Sequence, residues 1–124
     1  MARVLVIEDN VSNMKLATFL LESAGHIVLA ATDAEAGIAT ALAERPDLVL
    51  MDVQLPGMDG LQATALLKAD AETRSIPVIA LTALAMKGDA ERIQSAGCDG
   101  YIAKPMAYRE FLETVERFLP GVAL

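Results

Sequence analysis

Tryptophan is absent, and the 124 residues include one cysteine, one histidine, three phenylalanines and two tyrosines. Cys98 has no partner for an internal disulfide, and with His26 as the single imidazole there is no Cys/His set of the kind that holds zinc. Cys98 is expected to serve as a small semi-buried hydrophobe, and His26 as a surface turn residue with no phosphohistidine role. Basic side chains are scarce: ten stand against seventeen acidic ones, for a formal charge of −7. That balance opposes docking on a phosphate backbone, so direct nucleic-acid binding is not expected. Long hydrophobic runs are missing too. The apolar fraction is 54%, yet every run is interrupted well short of the roughly 20 residues that span a bilayer. The first apolar stretch meets Glu8-Asp9 too early to form a secretory core. The expectation is a cytoplasmic chain with no membrane insertion.

What the sequence does contain is alternation. Short β-branched runs, Val4–Ile7, Ile27–Ala31, Leu48–Met51, Val78–Leu81 and Tyr101–Ala103, alternate with longer helical patterns. Asn10 can cap a helix whose Met14, Ala17, Leu21 and Ala24 share a face, with Gly25 as its stop. Helical patterns follow over Ala34–Glu44, Gly60–Lys68, Lys87–Ala96 and Tyr108–Phe118, the last ending before Pro120-Gly121. Five strands and five helices in alternation predict an α/β, doubly wound parallel sheet in the flavodoxin-like order 2-1-3-4-5. The strands are near-continuously hydrophobic, which fits a sheet covered by helices on both faces. A length of 124 residues suits one domain with a real core.

Chemistry-bearing residues sit where the strands end. Glu8-Asp9 closes the first, Asp52 the third before Pro56-Gly57, Thr82 the fourth and Lys104 the fifth. In the expected order strands one and three are neighbours, so the acids would meet at the topological switch point, outside the carboxyl ends of the strands. Clustered carboxylates raise one another's pKa unless a hard cation neutralises them, which points to Mg²⁺ beside a nucleophilic aspartate. Each residue has a plainer reading. Asp52 could start a turn, Glu8-Asp9 could be a loop start and helix cap, Thr82 an ordinary strand end, and Lys104 a surface lysine before a helix-starting proline.

The acidic pair, the mid-chain aspartate, the threonine and Lys104-Pro105 together, in this order and spacing, resemble a response-regulator receiver domain of two-component signalling over essentially the whole chain. Glu8-Asp9-Asn10, Asn13–Leu16, Ala85–Asp89 and Gly97-Cys98 further resemble the single-domain, DivK-like cell-cycle receivers. The resemblance implies that residues 1–124 form one receiver with no attached effector domain. It also implies a phosphoryl group passed to Asp52 from a histidine kinase or histidine phosphotransfer protein, with Mg²⁺ or Mn²⁺ as cofactor. Asp9 and Asp52 would be side-chain metal ligands, Glu8 would act through water, and the Gln54 backbone carbonyl would complete the protein's share. Lys104 would meet phosphoryl oxygens, helped by a cis Lys104–Pro105 bond, and Thr82 would donate its hydroxyl to them. The switch would couple Thr82 to Tyr101, which would turn from exposed to buried.

The output surface would then comprise Leu84, Met86, Ala90, Tyr101, Ala103 and Met106, with Ile93 and Tyr108 nearby. Leu84 would shield the phosphoryl group from water. The chain would not be an enzyme in the ordinary sense, catalysing only its own phosphorylation and dephosphorylation. Output would be phosphorylation-dependent protein binding, such as regulation of a histidine kinase in cell-cycle or cell-fate control, or dimerisation. A phosphorelay shuttle or sink is the close alternative. An aspartyl-phosphate phosphohydrolase is a remoter one, because those enzymes place a second aspartate where this chain has Gln54. A flavodoxin is remoter still, since no Ser/Thr/Gly-rich phosphate loop follows the first strand.

Overall fold

The computed structural model describes residues 2–83, 87–104 and 107–119, with no side-chain detail for residues 87 and 88. Five strands, β1 (Arg3–Ile7), β2 (Ile27–Ala31), β3 (Leu48–Asp52), β4 (Val78–Thr82) and β5 (Gly100–Ala103), alternate with five helices. These are α1 (Val11–Ser23), α2 (Ala34–Glu44), α3 (Gly60–Ala69), α4 (Lys87–Ser95) and α5 (Tyr108–Phe118). The strands form one all-parallel sheet in the order β2-β1-β3-β4-β5, as the alternation predicts. Boundaries differ from the expected ones by at most one residue. Two of the differences matter, because Asp52 and Thr82 are the last residues of β3 and β4 and so are fixed by strand pairing.

Local chemistry explains the element ends. Asn10 Oδ1 accepts the Asn13 N–H at 2.9 Å to start α1, and Asp33 Oδ1 accepts the Ala36 N–H at 2.7 Å to start α2. Asp59 and Gln62 form a reciprocal capping box at α3. At the end of α1, Gly25 takes a left-handed φ of 88°. Its N–H reaches the Glu22 carbonyl while the His26 N–H reaches that of Leu21, a Schellman stop for which glycine carries no Cβ penalty.

Alternate residues of the central strands face opposite layers. Leu5, Ile7, Val49, Met51, Val78 and Ala80 pack with Ala41, Ala63, Leu67 and Ile93 of α2, α3 and α4. Val4, Val6, Leu48, Leu50, Ile79 and Leu81 pack with Ala17, Leu20, Leu21, Phe111 and Val115 of α1 and α5. The expectation of uniformly buried strands holds for β1, β3 and β4 only. The edge strands β2 and β5 are partly exposed, because each has a neighbour on one side alone. In α1, Ala24 is exposed and Leu20 takes the buried place expected of it. Among the described residues no helix is long and apolar enough to cross a membrane.

Cys98, expected to be semi-buried, is buried in the core, and burial pushes its thiol pKa up. His26 is a correction: it is buried, not a surface turn residue. Its Nδ1 accepts the Ala2 N–H at 3.2 Å, and its Nε2 lies 2.9 Å from Glu116 Oε1. Since Nδ1 accepts, Nε2 carries the proton and donates to the carboxylate. The ring therefore ties the start of β1 to α5. Replacing His26 with alanine strands these partners and is expected to cost about 1–3 kcal/mol, read as a lower urea midpoint at unchanged m-value.

Candidate phosphoacceptor and cation site

β1 and β3 run side by side with Ile7 opposite Met51, so the residues that follow, Glu8 and Asp52, emerge together at the carboxyl edge of the sheet. Oxygens of Glu8, Asp9 and Asp52 lie within 4.8 Å of one another. Glu8 and Asp52 are 1% and 3% exposed, whereas Asp9 is open to solvent. Lys104, one residue beyond β5, places Nζ 2.9 Å from Glu8 Oε1 and 3.2 Å from Asp52 Oδ1. Its main chain is held by its N–H donating to the Thr82 carbonyl at 2.8 Å. Thr82 itself is buried, and it follows Leu81, the residue paired with Asp52. The strand ends thus bring Glu8, Asp9, Asp52 and Lys104 to one place, with Thr82 beside it.

The backbone completes the arrangement. The Gln54 N–H donates to Asp52 Oδ1 at 3.0 Å, and the Asn10 N–H donates to Glu8 Oε2 at 3.2 Å. The second contact was not evident from sequence, where Asn10 reads only as a helix cap. Burial, followed by the neighbouring Glu8 carboxyl, pushes Asp52 up to about 7. Burial works against ionising Glu8 as well, but hydrogen bonding with Asp52 and the Lys104 ammonium outweighs it and draws Glu8 down. For Lys104 the two carboxylates overcome burial and hold the ammonium above its usual range. One cation facing two buried acids leaves the pair sharing a proton at neutral pH.

This donor set suits a hard divalent ion. It consists of carboxylate oxygens alone, and buried Glu8 Oε1 faces the Lys104 ammonium at 2.9 Å. The Gln54 amide reaches the site through its N–H; the direction of its carbonyl rests on the family resemblance. Tyr101 is 52% exposed on the edge strand, between a cleft against Ala90, Ile93 and Gln94 and one against Glu110, Thr114 and Phe118. Ala103 is likewise exposed, whereas Ile93 is buried in the core. Leu84, Met86, Pro105 and Met106 lie outside the described residues, and with them the shielding role of Leu84 and the cis bond.

Residues 4–116 match the response regulator receiver domain family. The chain belongs to that family. As a receiver domain it is 47% identical over 116 residues to the polar-differentiation response regulator DivK of Brucella anthropi, and equally to that of Brucella ovis, covering 94% of both chains in each case. Its fold is that of the Vibrio cholerae chemotaxis protein CheY4, with a TM-score of 0.91 and 27% identity over 96% of this chain and 99% of the other. The receiver domain of the Pseudomonas aeruginosa sensor histidine kinase PA1611, solved with a magnesium ion in its active-site cleft, aligns with a TM-score of 0.88. It is 36% identical over 94% of this chain and 96% of its own. Receiver domains are signalling regulators that bind Mg²⁺ at an acidic site, and this one has such an acidic group.

Proposed function

We propose that this receiver accepts a phosphoryl group on Asp52, with Mg²⁺ or Mn²⁺ held by Asp9, Asp52, the Gln54 carbonyl and, through water, Glu8. The observation that carries the reading is the convergence of three acidic side chains within 4.8 Å with the Lys104 ammonium 3.2 Å from Asp52 Oδ1. A bound cation would neutralise the acids and the incoming phosphoryl oxygens. The rest of the work falls to the chain. Gln54 N–H and Lys104 orient the carboxylate, and one of its oxygens attacks phosphorus. An O–P bond forms as the P–N bond of a phosphohistidine donor breaks, and the departing imidazole keeps the electron pair. Lys104 and the Thr82 hydroxyl then face the new phosphoryl oxygens.

The Brucella DivK likeness supports output by phosphorylation-dependent binding to another protein, including regulation of a histidine kinase in cell-fate control. Tyr101, exposed now, would turn inward as Thr82 engages the phosphoryl group, reshaping the face that includes Ala90 and Ala103. The likeness to a receiver from a sensor histidine kinase supports the second reading, a phosphorelay shuttle between a kinase and a phosphotransfer protein.

Incubation with Mg²⁺ and a small phosphodonor should add the mass of one phosphoryl group to the wild type and none to Asp52→Asn. Equal labelling of both would end the assignment. Stable complexes with a kinase, or self-association on a sizing column, formed only after phosphorylation would favour binding output. Rapid return of phosphate to a phosphotransfer protein without a stable complex would favour the shuttle.

A further inference from the structure

The main chain of Asp52 is gripped from the side opposite its carboxylate. Leu48 and Leu50 face α1 and α5, and the two-residue period of the strand sends Asp52 the same way. From the α3 side, Gly60 presses on the Asp52 peptide. A Cβ at Gly60 would lie 2.8 Å from the Asp52 carbonyl carbon, 3.0 Å from Met51 Cγ, and in outright overlap with the Asp52 carbonyl oxygen. The obstacle is backbone, which cannot swing aside as a side-chain tip can. Gly60 is not among the residues with positive φ, so closeness of approach, not torsion, demands glycine here.

Gly60 is itself anchored. Its N–H donates to the Val53 carbonyl at 3.0 Å, while the Val53 N–H donates to Leu81 at 3.0 Å. The fully buried Thr64 hydroxyl donates to the Gly60 carbonyl at 2.8 Å, and the Cys98 thiol lies 3.7 Å from that hydroxyl. The peptide after Asp52 is thus clamped between β4 and the first turn of α3.

We infer that Gly60, seated by Thr64, is a positioning residue that sets where the Asp52 carboxylate stands relative to Glu8 and Lys104. The inference rests on the reading of Asp52 as phosphoacceptor. A side chain at position 60 must lift α3 or displace Asp52, and misplacing a reacting group by about 1 Å costs about a hundredfold in rate.

The test uses the full chain as wild type, Gly60→Ala, Thr64→Val and Thr64→Ser, with Val115→Ala in the opposite layer as a stability control. Three quantities are read: the metal-free NMR resonance of the Gln54 amide, which donates to Asp52; Mg²⁺ affinity; and the phosphorylation rate against small-donor concentration. Gly60→Ala is expected to shift the Gln54 resonance, weaken Mg²⁺ binding, and cut the maximal rate about tenfold to a hundredfold. The half-saturating donor concentration should stay unchanged. Thr64→Val should give a smaller loss that Thr64→Ser restores, and Val115→Ala should move neither resonance nor rate.

A wild-type resonance and rate in Gly60→Ala would overturn the inference, and so would an equal loss in Val115→Ala. If Gly60→Ala does not fold, an unchanged resonance and rate in Thr64→Val has the same force. If the wild type takes up no phosphoryl group, the phosphoacceptor reading fails on its own, and the Gln54 resonance still decides whether Gly60 positions the side chain.

Discussion

Lys104→Met is expected to slow phosphorylation by about 10²–10³-fold, in the range seen when a preorganised charge is removed from a reacting centre. Methionine keeps the length and apolar stem but leaves Glu8 and Asp52, both buried, without the ammonium that sits 2.9 and 3.2 Å from them. Breaking such an arrangement strands charge on two buried carboxylates, and the metal-free variant should lose about 3 kcal/mol at pH 8. The loss should shrink toward pH 6, where a proton on Asp52 replaces the missing cation. Millimolar Mg²⁺ should recover part of it, since the ion becomes the remaining countercharge. Urea unfolding with and without Mg²⁺ reads the effect; equal stability of variant and wild type at pH 8 without metal would contradict it.

Asp52→Asn should act in the opposite direction, making the metal-free protein more stable by on the order of 2–4 kcal/mol at pH 8. Asparagine keeps an oxygen for the Gln54 N–H and Lys104, gains an NH₂ that can donate to Glu8, and cannot ionise. The sign follows from the raised pKa. With Asp52 at about 7 in the fold and 3.8 when unfolded, the folded state holds the extra proton between those values. Stability from this group is therefore full below about 4 and is lost as pH rises through 7. The variant escapes that loss, so its advantage should grow from pH 4 to 7 and level off above. Glu8 moves the other way: its lowered pKa contributes stability at neutral pH that is lost on acidification, in both proteins. Mg²⁺, which must displace the Asp52 proton, should stabilise the wild type more at pH 8 than at pH 6 and the variant less at either. An advantage independent of pH would show that Asp52 is ionised in the metal-free fold.

The central strands were legible because burial on both faces writes itself as unbroken Val, Leu and Ile, and the site was legible because it sits where those runs stop. Fold order then follows from few permitted topologies, so the meeting of Glu8, Asp9, Asp52 and Lys104 could be anticipated. Other features depend on partners far away in sequence. His26 reads as a turn residue beside Gly25, yet Glu116, ninety positions on, makes it a buried clip. Tyr101 and Ala103, by contrast, are exposed as the expected strand order implies, since it leaves β5 an edge. The closeness of Gly60 to Asp52 is invisible in Asp59-Gly60, which signals a helix start and says nothing of what the glycine leans against. That the Lys104 ammonium also bridges Glu8 and Asp52 directly is not read from the sequence, which places it only opposite the acids.

The sheet also works as a partition. Residues one apart along β1, β3 and β4 contribute to separate apolar layers, one under α2–α4 and one under α1 and α5, so neither layer reaches the other except around the rim where the strands stop. Wear in the two halves should consequently be tolerated differently. The α1–α5 half receives the Asp52 side chain, while the half that contains Gly60, Thr64 and Cys98 backs its main chain and has far less latitude, because any thickening beside Gly60 is delivered straight to the Asp52 peptide.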